Sequence, residues 1–176
     1  MILDTIKGNA AIKQSVLIGV ASAFVGVKEN GYNDGEFVRM FQDFIGDAKK
    51  ESWCMAFVQY CVNLTDKIMY RVDHDMPQSI IHKSEHCLTV WNNTSQTLRL
   101  NAPVPGCIVI WNHIGTSNGH TGIVESVDGT TMQVLEGNTG PGAGVEANGD
   151  GVYRKTRYLD TSSSKMQIKG YIRPWV

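Results

Sequence analysis

No charge of either sign prevails in this chain. Lysine and arginine number 16 against 17 aspartates and glutamates, a formal net charge of −1. No basic cluster breaks that balance, which excludes the electrostatic footprint of a nucleic-acid-binding surface. Long apolar runs are lacking too. The main candidate, from Val16 to Val27, is too short to span a bilayer, so no membrane partner is expected. Lys7, Lys13 and the small-residue stretch Ala21-Ser22-Ala23 lend it the look of a signal peptide. Yet Ile12, Val16, Leu17, Val20, Phe24 and Val27 recur at helical spacing, and the segment reads as a core helix. Paired cysteines are also missing. Cys54, Cys61, Cys87 and Cys107 contain no C-x-x-C motif and read as free thiols of a chain made in a reducing cytoplasm without a clear signal peptide. Internal repeats and low-complexity tracts are absent.

What is present fits one unit. A chain of 176 residues, 42% hydrophobic and 19% charged, is expected to fold as a single domain over residues 1–176, as a monomer with its own core. Helical patterns come first, over Asn9 to Val27, Glu36 to Phe44 and Trp53 to Leu64, the last with Ser52 as N-cap. In the second helix Phe37, Met40, Phe41 and Phe44 fall on one side. Residues 66–101 carry no readable pattern. Beyond them, short β-type runs are predicted at Cys107 to Trp111, His120 to Val127, Thr130 to Glu136, Gly151 to Tyr158 and Met166 to Ile172. Helices followed by antiparallel strands define an α+β class.

Cys54 sits in the first turn of a predicted helix. Unpaired N–H groups there carry partial positive charge, which favours a thiolate and can hold an oxyanion. Taken alone it reads more readily as a small buried hydrophobe, the commoner fate of cysteine. His120 opens a strand after a polar loop, where an imidazole is well placed to take a thiol proton and return it to a leaving amine. At the end of the next strand, Glu136 and Asn138 offer acceptors to orient that imidazole. Register decides whether they meet it. A two-residue turn at Asp128-Gly129 sets His120 opposite Gly137, with Glu136 on the other face. A three-residue bulged loop, Val127-Asp128-Gly129, sets His120 opposite Glu136 with Asn138 on the same face. The chemistry therefore predicts the bulged loop.

These segments resemble the CHAP family of cysteine, histidine-dependent amidohydrolases/peptidases. Ser52-Trp53-Cys54-Met55-Ala56-Phe57-Val58 is similar to its nucleophile motif, Gly119-His120-Thr121-Gly122-Ile123-Val124 to its histidine strand, and Val134-Leu135-Glu136-Gly137-Asn138 to the strand bearing the orienting group. Pro105 to Trp111 resembles its first core strand and Gly170 to Pro174 its closing one. One departure is Cys107, where the family usually has an acid after Pro-Gly. The resemblance implies a papain-like (NlpC/P60-type) α+β fold, with the nucleophile at a helix N-terminus packed on a C-terminal antiparallel sheet. It implies peptidoglycan as partner and amide cleavage, as amidase or endopeptidase, in a phage endolysin or bacterial lysin acting on the cell wall. Cys54 would be the nucleophile, His120 the base, and Glu136 with Asn138 the orienting groups. No separate wall-binding domain fits this length. Rival readings are a non-catalytic wall-binding module, a toxin-type amidase effector and an acyltransferase on the same scaffold.

Two clusters invite a metal. His82 and His86 lie four apart, with Cys87, His74, Asp73 and Asp75 near in sequence, a conceivable zinc set that lacks an H-E-x-x-H motif. Asn30, Asn33, Asp34 and Glu36 form an oxygen-rich loop. Some CHAP domains bind calcium near their N-terminal region, but this loop lacks the spacing of a strong calcium motif and reads as solvated. No cofactor is required by the expected chemistry.

Overall fold

A computed structural model describes residues 2–46, 50–74, 78–142 and 149–175. Four helices come first in the chain: α1 (Ile2–Ala23), α2 (Glu36–Ile45), α3 (Cys54–Val72) and α4 (Cys87–Asn93). A 3-10 turn, Gln96–Leu98, leads into the strands β1 (Arg99–Leu100), β2 (Ile108–His113), β3 (Gly119–Asp128), β4 (Thr131–Thr139), β5 (Gly151–Tyr158) and β6 (Met166–Ile172). They form one antiparallel sheet in the order β1-β6-β2-β3-β4-β5. The fold is α+β, as the order of patterns predicts.

Alternation along the strands splits the sheet's side chains between two apolar clusters. Ile108, Ile110, Ile123, Leu135, Val152 and Ile172 pack with the helices, against Leu17, Phe41, Phe57 and Cys61. Val109, Trp111, Val124, Met132, Val134 and Tyr171 fill the second cluster on the opposite face. Every one of these residues is buried.

Several helical expectations need correction. The buried face of α1 runs through Lys13, Leu17 and Ala21, not through Ile12, which is 51% exposed. Lys13 reaches Asp66 on α3 (3.4 Å), while Leu17, Val20, Phe24 and Val27 of the expected stripe do pack into the core. On α2, Val38 and Phe41 are buried and Phe37 is exposed. Ser52 does not cap α3. The cap position is Trp53, with no side-chain hydrogen bond.

A buried aromatic takes the place of a polar cap. The Trp53 indole stacks on Phe41 (5.8 Å between centroids) and donates to Glu29 Oε1 (2.7 Å). Against this corner lies Gly137 of β4. A β-carbon there would come within 2.8 Å of both Phe57 Cβ and Trp53 Cζ3. The bare backbone lets the start of α3 sit directly on β4. Gly137→Ala is therefore expected to cost about 1–3 kcal/mol, the scale of core overpacking, read as a lowered urea midpoint at unchanged slope.

The β3–β4 hairpin differs from expectation in an instructive way. Asp128 pairs with Thr131, so the turn is the two-residue Gly129-Thr130 and not the bulged loop Val127-Asp128-Gly129. The extra residue lies inside the strand instead: Ser126 pairs with Gln133 and Val124 with Val134, leaving Glu125 bulged. A two-residue turn alone would set His120 and Glu136 on opposite faces, since side chains alternate. The bulge at Glu125 restores the parity that brings them to one face. Glu125 is held there by Arg154 of β5, at 2.5 and 2.9 Å.

Candidate active site

Cys54 is the first residue of α3, and its side chain lines a cleft of about 380 Å³ together with Cys87, His113, His120, Asn138 and Arg157. His120 stands on β3 opposite Trp111 of β2, and the two rings stack at 5.8 Å between centroids. Burial among these rings leaves the imidazole few orientations. Its Nε2 faces Glu136 Oε2 at 2.9 Å, which leaves Nδ1 as the nitrogen for Cys54.

Glu136 is completely buried on β4 and would be costly as a lone anion. Arg157 on β5 compensates. Its Nε donates to Glu136 Oε1 (2.7 Å) and a terminal nitrogen donates to Oε2 (2.6 Å), a bidentate fork. The guanidinium also lies 5.7 Å from the Trp111 ring centroid. A chain of contacts thus runs Arg157–Glu136–His120–Cys54.

The charges follow from these contacts. Burial raises the Glu136 carboxyl, but hydrogen bonds from Arg157 and His120 outweigh it and bring it down to about 2. Burial opposes a charged His120, yet its bonds to Cys54 and Glu136 raise it to about 9. The Cys87 thiol beside Cys54 stabilises the Cys54 thiolate against burial. With the hydrogen bond and charge of His120 and the Met55 N–H, it holds Cys54 well below the ordinary thiol range. Both shifts run in the direction that favours a thiolate beside an imidazolium over a neutral thiol and imidazole. Alkylation of Cys54 by iodoacetamide is expected to be already fast at pH 6–7. A rate that rises only near an ordinary cysteine pKa of about 8.5 would contradict the pair.

Asn138 lies beside this chain. Its backbone is left-handed (φ 54°), and with the amide oxygen toward α3 it accepts from the Trp53 N–H (3.3 Å), while the amide nitrogen donates to Gly149 O and Asn33 Oδ1. It steadies the start of α3, and His120 takes Glu136 as its carboxylate. Three neighbours escaped the sequence reading. Arg157 was findable by asking what neutralises a glutamate buried in a central strand. Trp111 faces His120 by register. Cys87 lies with its Sγ 3.7 Å from Cys54 Sγ, across 33 residues of chain, and nothing local foretells that.

The metal candidates fall elsewhere. Residues 78–86 are not helical, so no helix aligns His82 with His86. The His74 ring packs on Tyr70, and His86 pairs with Glu85. Asp75 lies outside the described residues. In the loop of Asn30, Asn33, Asp34 and Glu36, Asp34 is committed to Arg39 (2.8 Å) and Asn33 Nδ2 donates to Lys50 O. Among the described residues no group of three or more His, Cys, Asp or Glu is arranged to hold a metal. Nor is any described helix long and apolar enough to cross a membrane.

The family model for the CHAP domain matches residues 46–138, a span that contains Cys54, His120, Glu136 and Asn138. No curated protein matches the chain. Among solved structures, the crystal structure of Ly7917 is 18% identical, with a TM-score of 0.42. The match covers 92% of this chain and 62% of that one, a likeness too distant to carry an argument.

Proposed function

The chain belongs to the CHAP domain family, which points to amidase or peptidase activity on peptidoglycan in the cell wall, and from that premise we propose a cysteine hydrolase whose nucleophile is Cys54. The observation that carries this reading is the geometry of the cleft: a thiol at the head of α3 shares it with an imidazole whose far nitrogen is fixed by a buried carboxylate. The Cys54 thiolate attacks the amide carbonyl, and the oxyanion rests on the Cys54 N–H at the helix start. The His120 imidazolium gives its proton to the leaving amine. His120, now neutral, takes a proton from water, which hydrolyses the thioester. Glu136 holds the ring throughout, with Arg157 as a positioning residue behind it. Thiolate, acid and base are all supplied by side chains, so the reaction needs no metal.

The cleft is polar, with Glu51, Glu85, His86 and His113 around its mouth, a lining suited to the charged stem peptide of peptidoglycan. In this reading the protein is a cell-wall lysin. The test is digestion of purified peptidoglycans from Gram-negative and Gram-positive walls, with products read by mass spectrometry. New amine termini are expected, and the fragment masses name the bond. Intact material across the panel would overturn the assignment and favour a binding role.

A further inference from the structure

Two thiols, not one, face the cleft. Cys54 Sγ and Cys87 Sγ lie 3.7 Å apart, at the heads of α3 and α4. Cys87 is seated by Gly119: a β-carbon on that glycine would come within 3.1 Å of Cys87 Cβ. A disulfide needs the sulfurs at about 2.05 Å, so the pair must close by about 1.7 Å. Small side-chain rotations at the two helix heads can supply a movement of that size. The remaining cysteines are different. Cys61 and Cys107 are completely buried and are not among the residues that line the cleft. Hydrolysis as described above uses one sulfur and gives Cys87 no chemical step.

We propose that Cys54 and Cys87 form a peroxide-sensitive switch, in which Cys87 resolves oxidised Cys54 into a disulfide that turns the hydrolase off reversibly. In the first step the Cys54 thiolate attacks one oxygen of hydrogen peroxide. An S–O bond forms and the O–O bond breaks, sulfur giving two electrons to the peroxide. Hydroxide leaves and takes the His120 proton as water, and Cys54 is left as a sulfenic acid. Neutral His120 then accepts the Cys87 proton, and the Cys87 sulfur attacks the Cys54 sulfur. The S–S bond forms, the S–O bond breaks, and the leaving hydroxide departs as water with that proton. Two thiols and one peroxide become one disulfide and two waters. A dithiol reductant reverses the change. The disulfide removes the nucleophile while sparing it from further, irreversible oxidation.

The proposal rests on Cys54 being the reactive thiol, but its readout is covalent and separate from wall cleavage. The whole protein is treated with a small excess of hydrogen peroxide, alkylated under denaturing conditions and mapped without reduction. The expected product is one linked peptide pair joining Cys54 to Cys87, two hydrogens lighter than its parts, with Cys61 and Cys107 alkylated. Hydrolysis should fall to background and return with dithiothreitol. In Cys87→Ser, Cys54 should instead proceed to the sulfinic acid, which dithiothreitol does not reverse. Accumulation of Cys54 sulfinate in the wild type without the linked pair would overturn the switch, as would linkage of any other pair. The wild-type map decides alone if the variant does not fold. A linked pair in a protein that cleaves no wall would support the switch while sinking the hydrolase reading. Wall cleavage with no linked pair would do the reverse.

Discussion

Cys54→Ala is expected to lower peptidoglycan cleavage by about 10⁴-fold or more, the scale on which a covalent nucleophile is lost from an acyl-transfer site. The fold should survive. Alanine is the best helix former, and the change deletes one sulfur at the first position of α3. The anchors of that end are Trp53 on Phe41 and Glu29, and both remain. The melting temperature is expected within a few degrees of wild type, and affinity for intact wall should be retained. This combination separates an enzyme from a binding module, since a module would lose nothing. His120→Ala should cost at least about 10²-fold, the usual contribution of a positioned acid–base group, and only a little more when combined with Cys54→Ala. A tenfold loss or less in His120→Ala would remove it from the mechanism. The pH profile should follow the same pair. Activity is expected to hold through neutrality and to fall as pH rises through about 9, where His120 loses the proton destined for the leaving amine.

The head of the site was legible because its signals are local. Cys54 at a helix start, His120 at a strand start and Glu136 two residues before Asn138 all lie in short, strongly patterned segments. The five strands after residue 107 were placed within three residues at each end for the same reason. What failed to read depends on distance along the chain. The C-terminal half of α3 looked like the start of an irregular region because Asp66 interrupts its apolar face. In the fold that carboxylate is buried, taking the Lys13 ammonium, the Trp175 indole N–H (2.7 Å) and the Ser79 N–H (2.8 Å) from distant segments. Register failed likewise. Chemistry required an even offset between His120 and Glu136, and turn residues proposed one way to get it. A bulge at Glu125, fixed by Arg154, supplied it another way. Sequence could state the constraint but not choose its solution.

Glu136→Ala is expected to be the most damaging single substitution to stability near the site. It leaves the buried Arg157 guanidinium without its bidentate carboxylate and His120 without its acceptor. Breaking a buried pair from one side costs about 3–5 kcal/mol, or roughly 6–20 °C in Tm for a chain of this size. Both carboxylate partners push the same way, so Glu136→Gln, which keeps the shape and loses the charge, should recover only part of the loss. The sign of the pH dependence follows from the directions of shift. Glu136 is depressed to about 2 in the fold, so its contribution is present above the ordinary carboxylate pKa and is lost as pH falls through about 2. His120 is raised to about 9, so its share is complete below about 6.5 and is lost as pH rises through about 9. The wild type should therefore outlast Glu136→Ala most clearly between about pH 5 and 6.5, and the two denaturation curves should converge toward strong acid. A double replacement of Glu136 and Arg157 by leucine and methionine should be more stable than Glu136→Ala, because it removes both charges together. It should still be inactive, because no carboxylate then fixes the far nitrogen of His120 for Cys54. A double variant less stable than Glu136→Ala would mean that the pair stabilises the fold in its own right and does more than position the histidine.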